Sequence, residues 1–471
     1  MASVWQFVAD MASASPTVLL DLNSSSTMRV GQGWNLDPPD YEKGYAGGAL
    51  RHGKRVTRSV AGNRLLVIPI EIIKGNAALA AQAVEDLGRQ IAVDNILKFQ
   101  PDGGTPVFFR TFADPDYASR VRGVLTQDTS ITLQIEAEPF CYGPRVTVTG
   151  SPFTVSNNPA AATNPCRFDI TGVLGDVPTP LLLVATSTGG AGAPSGLVSR
   201  TAHFATRRRG TPSNYANVIQ AEDMTQGTNA VVTADAAMSN GSKSRISFGT
   251  PGLTLRLSDT FPGNGTSVAD ARGEYTVYAR INKATANDTI VLQLGYGASS
   301  AAPVMNDAYS YTTSIGNPLW VNLGKVPVPA WSDPGAVGYS GVSTKVVLPF
   351  VGLYASRASG TAVLDVDCLY FMPADDQTVI VKWPTTDTTY ALDGTSNEGG
   401  SAYAVTTALD EILTTATPAQ VVGGGGFPEL IPGQTNRIHM IRDVAVSVDP
   451  ITDTTTLAAY YWPRWREYTR P

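Results

Sequence analysis

Apolar and polar residues alternate with period two along most of this chain, which predicts strands. Ile131-Thr132-Leu133-Gln134-Ile135-Glu136-Ala137-Glu138 alternates almost without fault before Pro139, the pattern of a strand with one buried face. Leu65 to Ile72 does the same, with Leu66, Ile68, Ile70 and Ile72 on one face. Pro69 falls on the other face and predicts an edge strand or a bulge. Val18–Leu22 and Val107–Phe112 complete the N-terminal strands. Between them the period changes. From Asn76 to Leu97, Ala80, Val84 (or Ala83), Leu87 and Ile91 recur at helical spacing, with Glu85, Asp86, Arg89 and Gln90 elsewhere. This predicts the one convincing helix of the chain, N-capped by Asn76 and lying across a sheet.

Residues 149–163 are rich in Ser, Thr, Pro, Asn and Ala and read as a linker or long crossing. Strands follow at Cys166–Gly172 and Leu181–Val184. From Val218 to Pro373 short strands recur: Val218–Met224, Arg245–Phe248, Glu274–Ile281, Thr289–Leu294, Leu319–Val326, Lys345–Val351 and Ala362–Pro373. Gly, Asn and Pro turns separate them, and that density predicts a jelly-roll sandwich. Near the other end, Tyr460-Tyr461-Trp462-Pro463-Arg464-Trp465 follows a glycine run, Gly423 to Gly426. Alternation places Tyr461 and Trp465 on one face and Tyr460 and Trp462 on the other, one face closing a core.

Composition sharpens this into an all-β, multi-domain protein. The chain has 471 residues, 45 Gly, 32 Pro and only 16% charged residues, too long for one hydrophobic core. A net charge of -6 argues against a nucleic-acid-coating surface. The short basic run Arg207-Arg208-Arg209 reads as a solvated or interface-pairing turn. Cys141, Cys166 and Cys368 have no metal-ligand spacing, and their odd number points to a reducing cytoplasm rather than a disulfide framework. The start Met1-Ala2-Ser3-Val4-Trp5-Gln6-Phe7 lacks signal-peptide character, and no stretch is long enough to cross a bilayer, so no membrane insertion is expected.

The residue pattern points away from catalysis. His52, His203 and His439 fall in separate predicted regions, and neither a Gly-x-Ser-x-Gly elbow nor a His-Glu-x-x-His helix occurs. Paired acids could hydrolyse a glycoside, yet the β domains leave no segment for a hydrolase domain. The glycine run lacks the Lys-Ser/Thr and helix of a phosphate loop. Sugar binding needs exposed rings beside convergent polar groups. Trp320 alternates with Val321 and reads as core. Trp331, in a loop-like stretch, together with Tyr309 and Tyr311 forms the expected glycan-contacting set.

Several of these stretches carry a resemblance. Phe109-Arg110-Thr111-Phe112-Ala113-Asp114-Pro115 and Glu136-Ala137-Glu138-Pro139-Phe140-Cys141-Tyr142-Gly143 resemble motifs in the ring-forming domain of siphophage distal tail proteins, also grouped as minor tail proteins. Gly175-Asp176-Val177-Pro178-Thr179-Pro180 resembles the start of that family's galectin-like second sandwich. Pro432-Gly433-Gln434-Thr435-Asn436 and Trp462-Pro463-Arg464-Trp465 resemble its closing strands. Gln220-Ala221-Glu222-Asp223 and Leu364-Asp365-Val366-Asp367-Cys368-Leu369-Tyr370-Phe371 are similar to the opening and close of jelly-roll carbohydrate-binding modules.

The resemblance implies a mainly β protein in three domains. Residues 1–150 would be a β-sandwich or split barrel with one helix, forming a ring. Residues 151–212 with 377–471 would make a discontinuous galectin-like β-sandwich, split by an inserted jelly roll at 213–376. It implies a non-enzymatic virion component at the phage tail tip, assembled in the host cytoplasm. Its partners would be copies of itself, as a hexamer in preference to a trimer, the tail tube, other tail-tip proteins and host cell-surface polysaccharide. It also implies that Glu222 and Asp367 could hold a structural calcium, the one cofactor expected. Asp365 shares a strand face with Asp367 by spacing and could join it. The rival readings are a carbohydrate-binding adhesin, secreted or virion-associated, with no ring, and a tail-associated glycan depolymerase.

Overall fold

The computed structural model describes the chain apart from residues 1–2, 24–26, 48–53, 74–76, 123–129, 157, 161–164, 189–199, 207–216, 250–251, 262–272, 284–288, 298–299, 312–314, 329–349, 359–362, 375–377, 384–388, 395–400, 405–416, 419–420, 425, 444–453 and 468–471. It is mainly β, as expected, with short strands in several sheets. The chain forms two compact units. Unit 1 takes residues 1–146, 174–179 and 461–471; unit 2 takes 147–173 and 180–460.

The main sheet of unit 1 runs in the order Val18–Asp21, Val4–Val8, Asn95–Gln100, Val107–Thr111, Ser130–Ala137, Arg64–Ile72, Met28–Val30. Ser130–Ala137 alternates exposed and buried residue by residue, and Arg64–Ile72 buries Leu66, Ile68, Ile70 and Ile72. Helix α1, Ala77–Ile91, lays Ala83, Val84, Leu87 and Ile91 into the core with Trp5, Phe7 and Phe99. The expected cap Asn76 lies outside the described residues.

Three expectations need correction here. The helix stops at Ile91, and Asn95–Gln100 is a strand. Continuing the helix would have brought Asp94, Asn95 and Lys98 onto its apolar face. Instead Asn95 Nδ2 donates to the Gln90 carbonyl at 3.4 Å and its side-chain oxygen at 2.6 Å, closing the helix end. Secondly, α1 is not alone. Helix α2, Pro115–Arg122, begins with proline, and the Asp114 carboxylate accepts from Tyr117 N at 2.8 Å, a regular N-cap. Thirdly, Arg64–Ile72 is an interior strand. Its partner Met28–Val30 ends one residue early, and Gly31 N donates to Pro69 O at 2.8 Å, so the missing proline N–H falls where that ladder has finished.

Unit 2 contains two pairs of sheets. In the first pair, Thr454–Tyr461 neighbours Thr179–Thr188, followed by Thr389–Asp393, Ser401–Ala404 and Thr417–Pro418. Its companion sheet orders Arg167–Ile170, Asn436–Asp443, Arg200–Thr206, Thr378–Trp383 and Val421–Gly424. Strands from before residue 218 and after residue 373 therefore interleave.

The second pair comes entirely from between those positions. One sheet orders Ala230–Ala234, Ser242–Ser247, Val363–Pro373, Gly273–Lys283 and Ile315–Val328, with Val218–Gln220 beside Val363–Pro373. The other orders Thr225–Gln226, Thr254–Thr260, Phe350–Arg357, Ile290–Gly297 and Val304–Met305, with Tyr309–Tyr311 beside Ile290–Gly297. Leu257, Val277, Leu292, Leu353 and Phe371 fill the space between them. The strand expected at Lys345–Val351 is described from Phe350 and runs on to Arg357; residues 345–349 lie outside the described residues.

Two departures bear on the sites. The sequence places all of 377–471 in the second sandwich, whereas Tyr461–Pro471 returns to unit 1. Val363–Pro373 also carries a bulge. Arg280 pairs with Cys368 and Ile281 with Val366, leaving Asp367 without a partner position. Leu364 and Val366 face the jelly-roll core before the bulge, and Leu369 and Phe371 after it. Asp365 thus lies before the break in alternation, and Asp367 is the extra residue that makes it.

Candidate functional site

In unit 1 the stretches singled out in the sequence converge on a single junction. Cys141–Tyr142 pairs with Arg464–Trp465, and Tyr142 also pairs with Phe108. Gly175 bridges Arg464, Asp176 N donates to Arg464 O at 3.0 Å, and the Asp176 carboxylate accepts from Arg466 N at 3.0 Å. Gly175 has φ +116, and a Cβ there would lie 2.6 Å from Arg464 O, so the approach needs glycine. Gly143 is similarly tight, because its Cβ would meet the Trp465 ring at 2.7 Å.

Arg464 stacks over Phe140 and Tyr142 and donates to Tyr142 Oη at 2.8 Å. Arg110 lies over the same tyrosine and 3.7 Å from the Glu138 carboxylate, which accepts from Tyr142 Oη. Burial, the largest cause, pushes the Tyr142 phenol up to about 12. The tyrosine therefore serves as a neutral hinge between two cations and one carboxylate. Trp465 reaches the core beside Cys141. Trp462 lies by Val8, Met11, Phe108 and Tyr142 and donates from Nε1 to Met11 O at 3.1 Å.

The glycan set expected from sequence is described only in part. Trp331 lies outside them. Tyr309 pairs with Leu292 and packs against the jelly-roll core, and Tyr311 pairs with Ile290 on the same short strand. Trp320 is buried, 6.0 Å from Tyr370.

A different aromatic surface is present. Gly295 and Gly352 stand opposite each other in neighbouring strands, on the sheet face away from Leu292, Leu294, Leu353 and Ala355 in the core. A Cβ at Gly295 would lie 2.6 Å from Tyr354 Cε2 and 3.0 Å from Met305 Sδ. One at Gly352 would lie 2.6 Å from Phe350 Cζ and 2.7 Å from Leu255 Cδ1. The two glycines let both rings lie down on the sheet. Phe350 is buried, while Tyr354 is half-buried with Gln293 directly across the ladder. Burial raises the Tyr354 phenol, so it stays a neutral donor. The sequence signal was present as glycine inside two strands, but the pairing that brings the glycines together is long-range.

The carboxylates sort into separate groups. Asp365 takes Arg245 at 2.8 and 3.0 Å and Lys243 at 2.7 Å, and Lys243 also reaches Asp235 at 2.6 Å. These cations hold the Asp365 carboxyl low against its burial. Asp367 is fully buried and pairs with the fully buried Arg280; its other oxygen accepts from Ser239 N at 2.9 Å, with Ser239 Oγ at 2.7 Å. The shared role for Asp365 and Asp367 allowed by spacing is thus absent, because the bulge sends them to different cations. Glu222 accepts from Asn240 at 3.0 Å through one oxygen; the other is buried with no hydrogen-bond partner, and burial raises its pKa. Among the described residues no group of three or more His, Cys, Asp or Glu could hold a metal ion.

His203 and His439, apart in sequence, sit on adjacent strands. His203 Nδ1 lies 2.8 Å from Tyr278 Oη, and His439 Nδ1 lies 2.8 Å from Tyr370 Oη. Both tyrosines come from the jelly-roll strands. Burial pushes the His203 imidazole down to about 4. These histidines are committed to packing contacts, around which Cys166, Ala205, Ile441, Trp320 and Cys368 cluster. His52 lies outside the described residues. No described helix is long and apolar enough to cross a membrane.

No family model and no curated protein matches this chain. Among solved structures it is similar to the Dit protein of phage SPP1, described as a paradigm of the hub adsorption apparatus in phages infecting Gram-positive bacteria. That match has 12% identity, covers 78% of this chain and 99% of that one, and has a TM-score of 0.25. It is also similar to a chain of the phage P2 baseplate in its activated, calcium-containing conformation, at 10% identity over 95% of this chain and 99% of that one, TM-score 0.29.

Proposed function

We propose that this chain is a structural, non-enzymatic component of a phage tail tip, a distal tail or minor tail protein. Unit 1 would form a ring joining the tail tube to the tip, located in the virion and assembled in the host cytoplasm. The reading rests on the junction in unit 1. Stretches at 136–143, 175–180 and 462–465, each resembling a tail-tip motif on its own, meet through Gly175, Tyr142 and Arg464. Residues 151–212 with 377–460 would form a galectin-like sandwich interrupted by a jelly roll at 213–376.

Unit 1 offers suitable edges for self-association. Val18–Asp21 is an edge strand with Val18 45% and Leu19 48% exposed. Tyr41–Gly47 pairs only with Lys54–Ala61 among the described strands, a separate two-stranded ribbon. Edges and ribbons of this kind gain from a neighbouring subunit. Native mass spectrometry of the full chain tests the ring. Six copies are expected and three also fit a ring, whereas a monomer at micromolar concentration would sink the proposal.

The jelly roll would contact host cell-surface polysaccharide through Tyr354 on its glycine-floored face, with Gln293 binding hydroxyls, and ring symmetry would multiply a weak contact. Tyr354→Ala should weaken retention on the host polysaccharide roughly threefold to tenfold, the scale of one aromatic contact, without changing the unfolding temperature. Retention kept in Tyr354→Ala but lost in Trp331→Ala would move the contact to the Trp331 segment. Retention by a monomeric chain would favour the ring-free adhesin.

A further inference from the structure

A jelly roll of the resembled kind would use Glu222 and Asp367 to grip a calcium ion, and the geometry here serves a different end. Calcium takes about six to eight oxygens at about 2.3–2.6 Å. Both Asp367 oxygens are already engaged, one by Ser239 and the other by Arg280. Arg280 and Asp367 are both fully buried. A second cation at that carboxylate would have to stand against a guanidinium that cannot lose its charge.

The placement of this pair is built by the backbone. Asp367 is the extra residue of the bulge, and the register resumes at the pair Arg280–Cys368. Ser239 is buried in the turn leading to Ser242–Ser247 and also lies 2.7 Å from Gln220 Oε1, so it ties the opening strand to the closing one. Glu222 stands outside the pair, bonded to the exposed-side amide of Asn240.

We infer that Arg280 replaces a structural metal in this jelly roll: its guanidinium, with Ser239, clamps Asp367, and the fold needs no divalent ion. The inference is independent of the tail-tip reading, since it concerns how the insert holds together and not what it binds. It predicts a fold indifferent to chelators.

The test uses the full chain, with calorimetry and native mass spectrometry in EDTA and in millimolar calcium chloride. The wild type should unfold at one temperature in both and carry no calcium. Arg280→Met removes the guanidinium and leaves Asp367 buried without its cation. It should unfold at a lower temperature in EDTA and recover part of the loss in calcium. Arg280→Lys retains a cation and should stay blind to calcium. If Arg280→Met fails to fold without metal, refolding in calcium but not in EDTA carries the same meaning. A wild type that binds one calcium and melts higher with it would overturn the inference, as would an Arg280→Met chain as stable as wild type in EDTA.

Discussion

At the residue scale, the positions under greatest constraint are those where a side chain has been left out. Gly175 combines positive φ with an approach of 2.6 Å from a would-be Cβ to Arg464 O. Gly172, at φ +69, has nothing within 4 Å of its Cβ position, so alanine there incurs backbone strain alone, about 1–2 kcal/mol. Gly175→Ala adds a clash with backbone and should cost about 1–3 kcal/mol more. Urea unfolding of both variants tests this, and equal losses would mean that the Arg464 strand moves aside freely.

His203 gives a second residue-scale expectation. Its folded pKa, about 4, is depressed from 6.5 by burial against Tyr278. Between those values the unfolded chain holds a proton that the folded chain refuses, so stability falls as the pH falls from about 6.5 towards 4. The loss is roughly 3 kcal/mol. His203→Gln should flatten that part of the pH–stability curve, and an unchanged slope would point to other groups.

At the scale of elements, the edge strand Val18–Asp21 is where self-association should be most sensitive. Val18→Lys with Leu19→Lys should leave the unfolding temperature within a few degrees of wild type, because both side chains are already exposed, while shifting native mass from ring to monomer. An unaltered ring would place the contacts elsewhere, with the Tyr41–Gly47 ribbon next to be tested.

Strands with one wet face were plain in the sequence, because burial writes itself as alternation: Ser130–Ala137 and Arg64–Ile72 needed nothing else. The end of α1 and the start of α2 were misread, although Asp94, Asn95 and Lys98 spoil the helical face and Asp114-Pro115 is a helix start. Val363–Pro373 was different. Nearly every residue in it is buried on both faces, so no alternation exists to show a change of parity, and the bulge at Asp367 could not be read. Long-range pairings were equally silent. Neither Gly295 nor Gly352 reveals that the other lies opposite, so the surface around Tyr354 could not be read from the sequence.

At the scale of the molecule, the jelly roll within unit 2 is bound in more firmly than an appendage on a tether. Tyr278, Trp320, Tyr370 and Met372 from its strands meet Cys166, Ala205 and Ile441, and two of those tyrosines engage His203 and His439. Replacing 213–376 by a short glycine-serine linker should therefore expose an apolar patch. The shortened chain should bind a hydrophobic dye and melt earlier than the full chain, and a shortened chain as stable as the original would show the contact to be idle.

The junction in unit 1 also sets an order of events. Trp465 belongs to the same core as Trp5 and Phe99, and Arg464 closes on Gly175 and Tyr142. A ribosome makes the first part of that core early, then hundreds of residues of unit 2, before the strand that completes it emerges. Until Trp465 is free of the ribosome, the Cys141–Tyr142 strand has only its Phe108 pairing. Incomplete chains are thereby kept from presenting a finished unit 1: a chain cut short by premature termination lacks the strand that closes its core.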